Sequence, residues 1–185
     1  IVPSDDIPEI DMSTSNTWWV SCKTSFDFTM KLQKLFAPND NYWHHKNLKE
    51  MKPGDVVLIY SKQTVKAIAI VTEESKLEEN IYENLSEEVL ADSGYKTMGE
   101  YVTVKIKTFE LSIPIDINDI SKQIKEEVGS HKYSTFTKDG VVNTHYASKL
   151  DEIFITYLKE ELKAHWPINC PWGVKFDNSE IFSYS

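Results

Sequence analysis

Residues 41–55, NYWHHKNLKEMKPGD, combine ring side chains with polar and basic ones in a way that suits nucleic-acid contact. Within six positions stand Tyr42, Trp43, His44, His45, Lys46 and Asn47. Such a mixture can hold a planar base by stacking while an amide reads its edge and a lysine meets a phosphate. The stretch is therefore the leading candidate for a binding surface.

Other chemistries have weaker support in the sequence. The six glycines are scattered and form neither a Walker pattern nor GxGxxG, which argues against nucleotide hydrolysis. His44 and His45 would point to opposite faces of a strand and have no HExxH or Cys partner at ligand spacing, so we expect no metal. A nucleophile pair of Cys22 with His145 or His131 remains formally possible, although Cys22 lies in an apolar strand pattern. We expect no catalysis and no cofactor.

The segment TWWVSCK, residues 17–23, adds a second aromatic signal. Side chains of a strand alternate between its faces, so Trp19 shares a face with Ser21 and Lys23, whereas Trp18 shares one with apolar residues. We therefore expect Trp19 to line a pocket. The alternative is that the aromatic residues, Trp166 and Trp172 included, are all core.

In the first half of the chain, strands and short helices are predicted to position these residues. Residues 17–23 predict a strand, and apolar residues at helical spacing within 25–36 predict a helix that Pro38 ends. A further helical turn is expected at 46–51. After the Pro53-Gly54 turn, two apolar runs at 55–61 and 65–74 predict a hairpin of buried strands.

The second half predicts one long strand and two helices. Alternating apolar residues predict a strand over 100–115 ended by Pro114. A helix is expected over 118–128, capped by Asn118 or Asp119 and stopped by Gly129, and another over 149–165. Helices flank strands without βαβ regularity, so the predicted class is α+β: a small curled sheet or barrel with helices at its ends.

Composition and charge limit the remaining choices. The 185 residues fit one domain, and no apolar run is long enough to span a membrane, so a cytoplasmic location is expected. Two distant cysteines, Cys22 and Cys170, predict free thiols. The net charge of −9 argues against unspecific coating of nucleic acid. Residues 44–66 are nevertheless locally basic, whereas residues 73–92 carry eight acidic residues against Lys76 alone.

The order of these motifs resembles a known group of domains. The Trp-bearing strand WWVSCK, a helical stretch with a Trp, and then MKPGDVVLIYS followed by AIAIVTEE are similar to the EVE domain, a relative of YTH domains in the PUA-like superfamily. The later segments YVTVKIKTFELSIPIDINDI and STFTKDGVVNTHYASKL resemble the amino-terminal specificity domains of McrBC-type restriction systems. The resemblance spans most of residues 17–160.

The resemblance implies a PUA-like, EVE-like curled β-barrel with flanking helices that accepts a flipped, modified base. It places the base-binding pocket at Ser21, Lys23, Thr24, Ser25, Tyr42, Trp43, Lys46, Asn47, Tyr60 and Ser61, to which the strand alternation adds Trp19. Phosphates would meet Lys23, Lys46, Lys62 and Lys66. Trp43 and Trp19 would stack on the base, and Asn47 and Ser21 would read its edge.

The expected function is a non-enzymatic DNA-binding module that recognises 5-methylcytosine, 5-hydroxymethylcytosine or N6-methyladenine in double-stranded DNA. By resemblance it would target a McrBC-like restriction and antiviral defence system, with a fused AAA+ GTPase motor and a nuclease partner. The expected division is an extension at 1–16, the binding domain at 17–165, and a segment at 166–185 leading to a further domain. An RNA-binding PUA-like module and a protein-interaction domain remain as alternatives.

Overall fold

The computed structural model describes residues 15–23, 25–79, 99–166 and 170. These residues form seven strands: β1 (Thr17–Ser21), β2 (Lys34–Pro38), β3 (Val56–Ser61), β4 (Thr64–Val71), β5 (Lys76–Glu79), β6 (Glu100–Asp116) and β7 (Ala147–Lys149). The same residues form four α-helices: α1 (Phe26–Leu32), α2 (Trp43–Glu50), α3 (Lys122–Gly129) and α4 (Glu152–Glu161). A short 3-10 turn at Ile117–Asp119 precedes α3, and another at Lys163–His165 follows α4. The predicted α+β class is confirmed.

All seven strands belong to one mixed sheet. Its order is β2-β6-β4-β3-β1-β7, with β5 also paired to β6. Only β1 and β3 run parallel; the other pairs are antiparallel. Helix α2 packs against both β2 and β7, which are the two ends of this order. Since one helix reaches both ends, the sheet is curled into a partly closed barrel.

Both faces of the central strands β1, β3 and β4 are largely buried. On one face Trp19, Leu58 and Ile68 join a core with Phe154 and Leu158 of α4. The other face carries Trp18, Val57 and Ala69 in a second core with Leu48 of α2. The alternation predicted for residues 17–23 is present, but neither face of β1 is open to solvent in its central part, because helices cover both.

The MKPGD turn before β3 is held by one buried carboxylate. Asp55 is 2% exposed and accepts hydrogen bonds from the backbone N–H of Lys52 and Asn16, both at 3.0 Å. The same carboxylate also accepts a hydrogen bond from β1, because Nε1 of the Trp18 indole donates to it at 2.9 Å. Gly54 adopts a φ of +94°, a conformation that favours glycine. The most specific part of the sequence resemblance therefore has a structural role.

Two predicted elements are wrong in extent. The helix expected over 25–36 ends at Leu32, where Gln33 takes a left-handed conformation, and residues 34–38 pair as β2 with β6. The strand expected to end at Pro114 continues to Asp116. A register shift in its pairing with β4 leaves residues 111–114 outside the ladder, so the missing N–H of proline costs no sheet hydrogen bond.

The helix predicted over 118–128 begins later than expected. Its cap is Ser121, whose Oγ accepts from the N–H of Ile124 at 3.4 Å, whereas Asp116 caps the preceding 3-10 turn. Strands β5 and β7 were not predicted. Most of the acidic stretch, Trp172 and nearly all of the two expected terminal segments lie outside the described residues. Among the described helices, none is long and apolar enough to cross a membrane.

Candidate functional site

A cavity of about 550 Å³ opens where β1 ends. This volume lies within the range of small-molecule sites, roughly 300–1,000 Å³. Segments from six parts of the chain meet there. Its wall is formed by Ser21, Cys22, Lys23, Ser25, His44, His45, Tyr60, Lys62, Gln63, Ile117, Asn118, Lys125, Gly140, Val141, Val142, Asn143, Thr144 and Tyr146.

Backbone hydrogen bonds fix the carboxyl end of β1 between two tyrosines. The N–H of Ser21 donates to the carbonyl of Tyr146 at 2.8 Å, and that of Cys22 donates to the carbonyl of Tyr60 at 2.7 Å. Both tyrosines are 8% exposed and line the cavity. The backbones of the two tyrosines thus flank the strand end, while the Tyr60 ring packs 5.2 Å from that of Trp19 and the Tyr146 hydroxyl accepts from the Phe36 N–H at 3.2 Å.

The hairpin between β3 and β4 forms one edge of the cavity mouth. Its two turn residues, Lys62 and Gln63, have φ of 50° and 71°, as a type I′ turn requires. Lys62 is exposed. The turn also holds the chain that leads to α3, because the N–H of Ile117 donates to the carbonyl of Gln63 at 2.8 Å.

A loop between α3 and β7 forms the opposite wall. It folds back on itself through an isolated bridge between Phe136 and Val142 and a bond from the Gly140 N–H to the Thr137 carbonyl at 2.9 Å. Gly140 has a φ of +79°, and a Cβ there would lie 3.4 Å from the Cβ of Lys125. Glycine at this position lets the loop close over α3 and present Val142 to the cavity.

His44 is a neutral ring in the cavity wall. Its Nδ1 accepts a hydrogen bond from the Tyr146 N–H at 3.1 Å, so the neutral imidazole carries its proton on Nε2. Burial, followed by the neighbouring His45 and His145, lowers the pKa of His44 to about 4. At neutral pH this residue therefore presents a hydrogen-bond donor without a charge.

Outside the cavity, the aromatic side chains that precede α2 and begin it stack beside His44. The ring of Tyr42 stacks over that of His44 at 5.7 Å, and His145 stacks on it at 4.8 Å. Trp43 packs edge-on against His145 at 4.8 Å and lies 5.0 Å from the ring of Tyr133. This outer group supports the wall of the cavity and leaves Tyr42 64% exposed.

The cavity wall is basic although the protein is acidic. Three lysines line it, Lys23, Lys62 and Lys125, and none of its lining residues is an Asp or Glu. Within the described ranges, none of the three lysines forms an ion pair. The hydroxyl of Ser21 is buried without a hydrogen-bond partner among those residues. These unused donors and charges suit a ligand that carries acceptor atoms and negative charge.

Nucleophilic and metal chemistry find little support here. Burial raises the pKa of the Cys22 thiol to about 11, so the thiolate needed for attack is scarce at neutral pH. His44 and His45 lie on a helix rather than the expected strand, with ring centroids 4.3 Å apart, and His45 bonds Asp40 at 2.9 Å. No cluster of three potential metal ligands occurs in the part of the chain that the structure describes.

Five of the predicted site residues lie in the cavity wall: Ser21, Lys23, Ser25, Tyr60 and Lys62. Their contacts with a base or a phosphate stay predictions. Thr24 lies outside the described residues.

Three predicted pocket residues have structural roles instead. Trp19 is 1% exposed and packs against Tyr60 and Phe154, because α4 covers its face of the sheet. Asn47 donates from Nδ2 to the Ala147 carbonyl at 2.9 Å and so ties α2 to β7. Ser61, 1% exposed, donates to the carbonyl of Lys23 at 3.3 Å.

The other predicted residues lie outside the cavity wall. Tyr42 and Trp43 belong to the outer aromatic group, and Lys46 is exposed on α2. Lys66 holds its ammonium 5.3 Å from the centre of the Phe26 ring, which is a cation–π distance. A role of Lys46 or Lys66 in phosphate binding stays a prediction.

Sequence reasoning missed several residues of the wall, above all Tyr146, Lys125 and the loop 140–144. Their positions depend on contacts between distant segments, which local patterns do not report. For His44 a signal existed: it belongs to the aromatic and basic stretch that was singled out.

No protein-family model matches this chain, and no curated protein matches it. Solved structures do show similarity. One is the N-terminal domain of McrB from Staphylothermus marinus, with 8% identity, 81% of this chain and 96% of that chain covered, and a TM-score of 0.42. Another is human THYN1 in complex with 5-methylcytosine-containing DNA, with 12% identity, coverage of 79% and 98%, and a TM-score of 0.46.

A third similar structure is the YTH domain of MRB1 from Zygosaccharomyces rouxii in complex with N6-methyladenosine RNA, with 11% identity, coverage of 90% and 95%, and a TM-score of 0.44. McrB amino-terminal domains and YTH domains are among the groups that the sequence resembles.

Proposed function

We propose that this chain is a cytoplasmic nucleic-acid-binding module that takes a flipped, modified base of double-stranded DNA into the cavity at the end of β1. The base would be 5-methylcytosine, 5-hydroxymethylcytosine or N6-methyladenine. The observation that carries the proposal is the cavity itself: about 550 Å³, walled by Tyr60 and Tyr146, lined by three lysines and by no carboxylate.

The cavity must offset the free-energy cost of flipping a base out of the duplex. Extruding a base costs a few kcal/mol, which stacking and edge contacts inside a fitted pocket must offset. Tyr60, Tyr146 and the neutral His44 line the cavity and would supply its ring surfaces, and the exposed Lys23 and Lys62 would meet the flanking phosphates. A local basic mouth serves this purpose even in a chain whose net charge is −9.

The resemblance of the sequence to EVE domains and McrBC-type specificity domains supports a wider role. In this proposal the module has no catalytic activity and directs a restriction or antiviral defence system to modified DNA. A GTPase motor and a nuclease would belong to a fused or partner region. The raised pKa of Cys22 supports a binding role over a hydrolase that uses this thiol.

The test is equilibrium binding to matched duplexes at two salt concentrations. The duplexes are unmodified or carry one 5-methylcytosine, 5-hydroxymethylcytosine or N6-methyladenine, and a single-stranded RNA of the same sequence with N6-methyladenosine is included. We expect tighter binding to one modified duplex. Equal binding to all DNA would contradict base recognition, and preference for the RNA would replace DNA with RNA as the target.

A further inference from the structure

Lys125 is a buried lysine in the cavity wall, on the first turn of α3. It is 8% exposed, and its Nζ donates to the carbonyl of Ile117 at 3.0 Å. Within the described residues this is its one hydrogen bond, and no carboxylate pairs with it. An ammonium has three donors, so two remain for another partner.

A lysine buried in this way is costly unless its donors are used. Lysines are almost never buried without a partner, because removing the charge from water costs several kcal/mol. The loop around Gly140 closes over this side chain, with the glycine approaching Lys125 and Glu126 so closely that a Cβ would meet them at 3.4 and 3.2 Å. The ammonium itself is held by the carbonyl of Ile117, a residue that also lines the cavity.

Two further polar groups of the wall without a partner on the donating atom are also able to donate. The neutral ring of His44 carries its proton on Nε2, because its Nδ1 is already an acceptor. The hydroxyl of Ser21 has no partner among the described residues. A ligand that uses these donors must present acceptor atoms to them.

We infer that Lys125 is a specificity-determining residue that donates to an acceptor on the edge of the bound base; the inference rests on the proposed function. The exposed Lys23 and Lys62 suit phosphates, whereas Lys125 is 8% exposed and bonded to the cavity-lining Ile117, a position that suits contact with an inserted base.

The wall of donors also narrows the choice of base. The pairing edge of cytosine carries two adjacent acceptors, N3 and O2. That of N6-methyladenine carries one acceptor, N1, beside the N6–H donor. Donors at Lys125 and His44 therefore favour cytosine over N6-methyladenine, so that among the modified bases proposed the 5-modified cytosines fit best.

The experiment compares Lys125→Met with Lys122→Met, an exposed lysine on the same helix. Binding of both variants and of the unaltered chain is measured on unmodified, 5-methylcytosine and N6-methyladenine duplexes at two salt concentrations. We expect the unaltered chain to prefer 5-methylcytosine. Lys125→Met should reduce the preference for 5-methylcytosine over N6-methyladenine by roughly tenfold to a hundredfold, as loss of a hydrogen bond to a charged group does, without changing the salt dependence. The ratio of 5-methylcytosine to unmodified duplex should stay unchanged, because both cytosines carry the same pairing edge. Lys122→Met should behave like the unaltered chain.

Two further measurements keep the test decisive. Thermal unfolding shows whether Lys125→Met folds, and Lys125→Gln, which keeps a donor of similar reach, should retain part of the preference. Retained preference in Lys125→Met would overturn the inference, as would an equal loss on all duplexes with a weaker salt dependence, which marks a phosphate contact. Preference of the unaltered chain for N6-methyladenine would overturn the choice of cytosine alone. No preference for any modification would overturn the proposed function and this inference together.

Discussion

Two lysine-lined depressions of the molecule differ in how their charges are used. The cavity at the end of β1 holds Lys23, Lys62 and Lys125 without an acidic lining residue. The second depression, a groove of about 170 Å³ along β2, β5 and β6, is lined by Lys34, Glu73, Glu74, Lys76, Glu78, Thr103 and Lys105. Both contain three lysines, but only the groove contains their counter-charges.

Each lysine of the groove has a carboxylate partner. Lys34 lies 3.0 Å from Glu78, while Lys76 and Lys105 lie 2.9 and 3.2 Å from the two oxygens of Glu73. A hydrogen bond from Thr103, followed by the charge of Lys34, lowers the pKa of Glu78. The three lysines of the groove are thus paired with carboxylates of neighbouring segments. The three lysines of the cavity have no carboxylate partner among the described residues. A candidate binding site therefore differs from a structural ion-pair network in having lysines without carboxylate partners, not in the number of its lysines.

The largest expected effect concerns the stacking surface of the cavity. Tyr60→Leu keeps an apolar side chain beside Trp19 but removes the ring, and should weaken binding of modified DNA by roughly tenfold to a hundredfold, the cost of one lost base–aromatic stack. Tyr60→Phe keeps the ring and is the matched control. Equal binding of the two variants, measured by fluorescence anisotropy, would remove Tyr60 from the site.

The next effect separates the lysines of the two regions. Replacing Lys23 and Lys62 by Met should weaken binding to every duplex alike and lower the slope of log K against log salt by about 0.9 for each lost phosphate contact. Replacing Lys34 and Lys105 by Met removes the same charge from the groove. If this second pair changes the salt slope as much as the first, the distinction between the two regions fails.

A smaller effect concerns the free energy of unfolding: the contributions of the cavity and of the groove should depend on pH in different ranges. Burial lowers the pKa of His44 to about 4 from 6.5, so the unfolded chain binds a proton between these values and the folded chain does not. Stability should therefore fall as pH drops from about 6.5 to 4. The groove carboxylates, whose pKa values are lowered from 4.5, begin to lose their contribution only as the pH falls below about 4.5, at the lower end of this range.

Thermal unfolding between pH 4 and 7 measures this difference. His44→Asn keeps an acceptor for the Tyr146 N–H but does not titrate, so its melting temperature should depend less on pH; His145, whose pKa burial also lowers, accounts for the remainder. An unchanged pH dependence in His44→Asn would contradict a neutral, buried His44.

The smallest effect is expected in the groove. Lys34 and Glu78 are both about one-third exposed, and exposed ion pairs contribute less than about 1 kcal/mol. A double-mutant cycle of Lys34→Met and Glu78→Gln, followed by urea unfolding, should give a coupling energy in that range with no change in DNA binding. A loss of DNA binding in either variant would extend the site into the groove.

Local patterns were sufficient for some elements of the fold and insufficient for others. The hairpin of β3 and β4 followed from two apolar runs, and the turn at Gly54 from its Pro-Gly pair, because both depend on neighbouring residues. Leu35 and Phe36 fit a helical pattern, yet they lie in β2 because β6, distant in the sequence, offers a pairing edge. Tertiary pairing there outweighs local periodicity.

The same reasoning applies to the site. Ser21, Tyr60 and Lys62 stand at the ends of predicted strands, where side chains reach the edge of a sheet, so their place in the wall was predictable. Trp19 was misplaced because α4 covers its face of the sheet. Lys125 could not be anticipated, since its burial depends on a turn at Gly140 that folds the next loop over α3.

The most direct test of the central claim is a crystal structure of the chain with a duplex that carries 5-methylcytosine. The proposal predicts that the modified base lies outside the duplex, stacked in the cavity beside Tyr60, with its pairing edge within hydrogen-bonding distance of Lys125. A modified base that remains stacked in the duplex, with the DNA bound elsewhere on the surface, would contradict the account.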